Sequence, residues 1–103
     1  MLKVVSLMKR KEDLSFADFR KWALEEHPPL GRRLPGIRHY RMSVVLEDKP
    51  DLPCHAVSEF WFDDEAARAA AFATPEGKAA GGDAAAHCSS RTHLLTEERV
   101  IIE

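Results

Sequence analysis

His27 is the side chain of this sequence best suited to move a proton, because an imidazole changes charge near neutral pH. Its neighbours make the position informative. Phe16, Phe19 and Ala23 recur at helical spacing, and the same phase continues to His27, Leu30 and Leu34. A titratable ring therefore falls on, or beside, the apolar stripe of a helix. Pro28 and Pro29 follow at once. Pro28 disfavours α geometry at His27, so the regular helix should end or kink there. Trp22 and Tyr40 would supply flat apolar walls whose N–H and O–H groups can orient a ligand. In such a pocket neutral imidazole serves as general base and imidazolium as general acid. The plainer alternative is a helix cap, since a histidine near a helix C-terminus bonds the last carbonyls and suits the negative end of the dipole.

Other residues extend the candidate site. Glu59 interrupts an otherwise apolar strand. A carboxylate so placed either has a raised pKa or is paired. It could assist His27, or meet a Lys or Arg of a neighbouring strand or second subunit. Arg32, Arg33, Arg38 and Arg41 could steer a carboxylate-bearing substrate, the alternative being ordinary solvation. Arg38 and Phe72 join Trp22, Tyr40 and Glu59 as expected substrate contacts. Cys54-His55 and His87-Cys88 look like halves of a metal site, but adjacent strand residues point to opposite faces and no CxxC or HxxxH spacing is present. No metal site is expected. His39 and His93 read as exposed strand residues.

The elements that must position these groups are well signposted. Residues 2–9 form a strand covered on both faces. Ser15 is a good N-cap for the His27 helix, with Asp18 in its first turn. Pro35-Gly36 stops the segment. Residues 37–46 and about 55–62 alternate as strands, and the loop 47–53 between them is too short for a helical crossover, so they form a hairpin. Asp63 or Asp64 caps an alanine-rich helix over 65–73. Thr74-Pro75 starts another, in which Gly77, Gly81 and Gly82 predict a weak or broken segment, with Asp83 opening a last short turn. Residues 91–96 form the fourth strand, and 100–102 continue the pairing or pack on a partner. The order β-α-β-β-α-β is the ferredoxin-like, split βαβ arrangement: an α+β fold with helices on one face of a four-stranded antiparallel sheet. Trp61, Val57 and Leu95 suggest that the other face is not simply wet, and a homodimer packed sheet on sheet is the natural solution.

Size and composition fit one domain over residues 1–103, with 45% apolar and 31% charged residues and a net charge of −2. That charge gives no general reason to bind nucleic acid or anionic lipid. The basic residues are uneven, with ten Lys/Arg against five Asp/Glu in residues 1–41 and five against twelve thereafter. No apolar run approaches a membrane span, and residues 1–10 are too short and strand-like for a signal peptide. Two cysteines cannot define a disulfide framework, so a reduced, cytoplasmic protein is the default. Gly-rich phosphate loops, GxSxG and interleaved basic-aromatic stripes are absent.

The segment FRKWALEEHPPLGRRLPGIRHY resembles the EthD family of dimeric α+β barrel proteins, through Phe19, Trp22, His27, Pro29, Leu30, Pro35, Gly36 and Tyr40. SEFWF in the third strand and TPEGKAA after the second helix fit as well. The resemblance covers nearly the whole chain and implies two ferredoxin-like sheets meeting in a homodimeric barrel. Its broader superfamily includes lactone isomerases, polyketide-modifying cyclases and decarboxylases, and cofactor-free oxygenases. His27 matches the histidine such enzymes are thought to use. The additional cysteine of methylmuconolactone-type isomerases has no clear match, since Cys54 and Cys88 are both poorly placed. Two expectations result. One is a cofactor-independent enzyme acting on a small lactone, aromatic or polyketide-like acid. The other is a non-catalytic metabolite-binding or accessory dimer of a degradation pathway.

Overall fold

The computed structural model describes residues 1–103. Four strands, β1 (Leu2–Arg10), β2 (His39–Val44), β3 (Ala56–Phe62) and β4 (Cys88–Thr96), form one sheet in the order β2-β3-β1-β4. Every neighbouring pair is antiparallel. This is the ferredoxin-like α+β arrangement. β1 alternates cleanly, with Val4, Ser6 and Met8 buried and Val5 and Leu7 half-buried, so helices cover only one of its faces.

Cross-strand register builds the helix-covered face in rows, because directly opposed residues share a face. Tyr40, Phe60, Val4 and Leu95 form one row. Met42, Ser58, Ser6 and His93 form the next, and Val44, Ala56, Met8 and Arg91 the third. The core divides along these rows. One apolar cluster gathers Met8, Ala56, Phe19, Trp22, Ala84 and Cys88. A second gathers Val4, Phe60, Phe62, Leu34 and Ala71. The serine-histidine row runs between them. Leu95 thus belongs to the helix side, contrary to expectation, and Leu94, opposite Val5, is the leucine of the other face. The two are easily exchanged in a sequence, because a one-residue slip in register swaps the faces.

The helical layer starts as its caps dictate. Ser15 Oγ accepts the Asp18 N–H at 3.1 Å and opens α1 (Phe16–Lys21). The expected break at the prolines takes a specific form. Residues Trp22–Glu26 widen into a π-helical turn, in which the His27 N–H reaches the Trp22 carbonyl five residues back at 2.8 Å. Pro28 has no N–H, and in a regular helix its ring would press on the carbonyl four residues earlier. The wider turn absorbs that conflict, and His27 keeps helical dihedrals (φ −76°, ψ −42°). The chain runs on into α2 (Pro28–Gly31) and stops at Gly36, which takes φ +80°.

Asp64 caps α3 (Glu65–Phe72), accepting the Ala67 N–H at 2.8 Å. Thr74 caps α4 (Pro75–His87). This last helix is unbroken over 13 residues, contrary to the expectation from its glycines. Gly77 is required by packing: a Cβ there would lie 2.5 Å from the Ala71 carbonyl and from Phe72 Cα. Close approach of α4 to α3 outweighs the low helix propensity of glycine. Val100, Ile101 and Ile102 lie exposed beyond β4 and form no strand. No helix is long and apolar enough to cross a membrane.

Candidate active site

The site forms where the π-helical turn faces α4. His27 is buried, and its Nδ1 lies 2.9 Å from Asp83 Oδ2. The same carboxylate oxygen accepts the Trp22 Nε1–H at 2.9 Å. The Trp22 ring lies against His27 on one side, with centroids 4.8 Å apart, and stacks on His87 at 4.5 Å and 12°. His87 is held in turn by its Nδ1, 2.7 Å from the Asp83 backbone carbonyl. Beside a carboxylate, Nδ1 of His27 carries the proton and donates it. The lone pair is then on Nε2, which has no hydrogen-bond partner within the protein. A histidine tied at one nitrogen and open at the other is the arrangement a general base requires.

His27 lines a cavity between the helices and the sheet, bounded by Tyr40, Phe72 and Leu34, with Ser6 and Ser58 on its floor. Its volume of about 40 Å³ is room for about three waters, so a larger ligand needs the side chains at its mouth to move. Burial pushes the Tyr40 phenol up to about 12, and its hydroxyl therefore stays protonated, a donor. Gly31 makes room for that ring, since a Cβ there would lie 2.7 Å from Tyr40 Cε2. His93 also lines the cavity, open to solvent on one side and set against Phe60 and Phe72 on the other. Its pKa is lowered by this desolvation first and then by the Arg91 and Arg68 guanidiniums, which leaves the ring neutral.

The expected site residues are thus only partly brought together. His27, Tyr40 and Phe72 share the cavity. Trp22 is buried in the core and meets His27 and Asp83 instead of the cavity, so it positions rather than contacts. Arg38 lies outside it, its Nε and Nη2 bonded to the Asp63 carboxylate on an exposed edge. Glu59 points from the opposite face of the sheet and pairs with Lys3 Nζ at 2.6 Å. Strand alternation alone separates it from His27. Cys88 is buried, and burial pushes its thiol up to about 11, which removes it as a nucleophile. Cys54-His55 and His87-Cys88 do not meet, and no group of three or more His, Cys, Asp or Glu side chains is arranged to hold a metal ion.

Sequence reasoning missed Asp83, Ser6, Ser58, Arg91 and His93. For Asp83 a weak signal exists: a lone carboxylate in an Ala/Gly helix, four residues before His87. The serines gave none, since only the β1–β3 register places one opposite the other.

The EthD domain matches residues 11–88 of the chain. The chain belongs to the EthD family. An EthD family protein of Bacillus halodurans is 28% identical, superposes with a TM-score of 0.80, and aligns over 96% of this chain and 99% of its own. A dimeric ferredoxin-like protein of unknown function from Thermobifida fusca has the same fold at 15% identity, with 92% and 88% covered and a TM-score of 0.75. SnoaB, a cofactor-independent oxygenase of Streptomyces nogalater, aligns at 17% identity over 99% of this chain and 97% of its own, with a TM-score of 0.68. No curated protein matches the chain. The helix-to-sheet cavity of this EthD protein, with its His27–Asp83 pair, is built mostly from the matched segment; Ser6 and Met8 of β1 and Arg91 and His93 of β4 lie outside it.

Proposed function

We propose that this EthD protein is a cofactor-independent enzyme that moves a proton on a small carbonyl compound, with His27 as base and then acid. The observation that carries the reading is the pairing of His27 Nδ1 with Asp83, which leaves Nε2 unbonded in a residue that lines the cavity. In the reaction Nε2 takes a proton from the carbon next to the substrate carbonyl. The C–H electron pair moves into a C–C double bond, and the carbonyl electrons onto oxygen, giving an enolate. The Tyr40 hydroxyl, which keeps its proton, is the available donor to that oxygen. Asp83 compensates the charge that develops on the imidazolium and holds its orientation. Return of the proton to a different carbon gives isomerisation, and attack of the enolate on a second carbonyl gives cyclisation. With a β-keto acid, His27 Nε2 takes the carboxyl proton, loss of CO₂ leaves the same enolate, and the imidazolium returns that proton to carbon. The relationship to a cofactor-independent oxygenase in fold is compatible with chemistry of this kind.

The protein works in this reading as a homodimer. Val5, Leu7 and Val57 are half-buried and Leu94 is 45% exposed on the sheet face that the helices leave open. A second copy packed sheet on sheet would cover them, as the family resemblance implies.

The test does not depend on which product forms. Small keto acids and lactones are incubated with the protein in D₂O, and loss of the proton next to the carbonyl is followed by NMR. Exchange that falls by about 10²–10⁴-fold in His27→Ala, and substantially in Asp83→Asn, is expected. Unchanged exchange in His27→Ala would overturn the assignment.

A further inference from the structure

The cavity holds polar groups that the proton transfer does not use. Ser6 and Ser58 are 3% and 5% exposed, and neither hydroxyl bonds to any group of the protein. Neither hydroxyl is sealed off, since the one wholly buried side-chain polar atom without a partner is Arg10 Nε; both border the cavity and are free to bond a ligand that enters it. His93, opposite Ser6 across β1 and β4, likewise makes no hydrogen bond. Two residues away, Arg91 stands opposite Met8 and lines the same cavity at its open mouth. Its guanidinium has neither an ion pair nor a hydrogen bond within the protomer. Arg10, Arg38 and Arg68 are spent on Asp48, Asp63 and Glu65, and of the arginines left without an ion pair Arg91 is the one that lines this cavity. The carboxylate nearest to the site, Asp83, is already engaged by His27 and Trp22.

We propose that Arg91 binds a carboxylate of the ligand, with His93 and the Ser6–Ser58 pair hydrogen-bonding the same end, so that the substrate is a small carboxylic acid whose reacting carbon faces His27. An unpaired guanidinium presents a planar fork of donors matched to a carboxylate. A neutral imidazole and two hydroxyls beside it can donate without adding charge. The acid-binding arginine is thus on β4, and not among the arginines near His27 in sequence. This inference rests on the cavity being the ligand site, as in the reading above, and is tested separately from the chemistry.

The probes are benzoate and its neutral isostere benzamide, titrated into the full chain with the ring signals of His93 and His27 followed by NMR. Benzoate is expected to bind about tenfold more tightly than benzamide, a difference of about 1.4 kcal/mol. Arg91→Gln should abolish the preference while leaving benzamide affinity unchanged, and Arg91→Lys should keep part of it. His27→Ala should retain the preference in full. Equal affinity for the two probes, no saturable binding of benzoate, or a preference that survives in Arg91→Gln would overturn the proposal. A preference that depends on Arg91 in a protein with no exchange activity would leave the acid site standing and remove the catalytic role of His27.

Discussion

His27 and His55 are both buried, at 8% and 5% exposure, and each faces an aspartate. His55 lies beside Phe19 and Phe16 at the packed end of the helical layer. Its Nδ1 accepts the Arg10 N–H at 3.0 Å, and its Nε2 meets Asp48 Oδ1 at 3.2 Å. Both nitrogens are used, one as acceptor and the other as donor, so the ring is a neutral clamp between β1 and the loop before β3. His27 spends one nitrogen on Asp83 and keeps the other for the cavity. Burial beside a carboxylate is therefore common to both rings. What differs is the second nitrogen, bonded in His55 and unbonded in His27, and the proposed role of His27 rests on that difference.

Alanine at each position should separate the two roles. His27→Ala is expected to lower proton exchange by about 10²–10⁴-fold with a smaller loss of urea midpoint than His55→Ala, because Asp83 keeps the Trp22 N–H. His55→Ala should leave the Arg10 backbone N–H without a partner and the Asp48 carboxylate with Arg10 alone, at a cost of roughly 1–3 kcal/mol. In a domain of this size that lowers the melting temperature by about 4–8 °C per kcal/mol, with exchange activity retained in the fraction still folded. If the two variants behaved alike in both measurements, the distinction would fail.

The same contrast between a packed end and an open end has a pH signature. Cys88 belongs to the packed cluster, and burial raises its thiol from 9.0 to about 11. Tyr40 lines the cavity, and burial raises its phenol from 10.0 to about 12. In both cases the folded state holds the proton more tightly than the unfolded state. The stabilisation is complete below the unfolded pKa and is lost as pH rises through the folded one. Stability should fall from about pH 9 to 12, by roughly 3 kcal/mol for each group. Urea midpoints across this range test it: Cys88→Ala should flatten the lower part of the decline and Tyr40→Phe the upper part.

How far the two ends were legible in the sequence follows from the range of the interactions involved. Local signals read well. Ser15, Asp64 and Thr74 cap the helices they were expected to cap, because capping needs only three residues. Strand alternation placed Tyr40 with Met42 and Ser58 with Phe60. His27 stood out because its phase, its prolines and its titrating ring are all local facts. Asp83 did not, since the bond that gives it meaning closes across 56 residues. Gly77 read as a helix breaker because its reason for being glycine is the backbone of α3. Arg91 read only as the start of a strand and His93 as an exposed strand residue, which it is, but that both border the cavity depends on the β1–β4 register. Cys54-His55 suggested a metal half-site, whereas His55 has a bonding role that only Arg10 and Asp48 reveal.

Gly31 tests how finely the open end is shaped. A Cβ there would lie 2.7–3.0 Å from the Tyr40 ring edge and hydroxyl, and the ring end can yield more easily than backbone. Gly31→Ala gains about 1 kcal/mol of helix propensity and loses about 1–3 kcal/mol to overpacking. A net destabilisation of about 1 kcal/mol is expected, together with weaker benzoate binding as Tyr40 shifts. Full retention of both stability and binding would show that the Tyr40 position is not set by Gly31.

The smallest effect should come from the floor of the cavity. A buried serine that bonds within a protein typically costs about 1 kcal/mol when its hydroxyl is removed. Ser6 and Ser58 have no such bonds to lose, so Ser6→Ala and Ser58→Ala should each change the urea midpoint by no more than about 0.5 kcal/mol. Either sign is compatible with the geometry, because the methyl replaces a group whose hydration the fold has already restricted. Benzoate affinity should nevertheless fall in both variants. Near-neutral stability with weakened binding would mark these hydroxyls as kept for a ligand. A loss above about 1 kcal/mol would instead place them with His55, among groups whose partners lie within the fold.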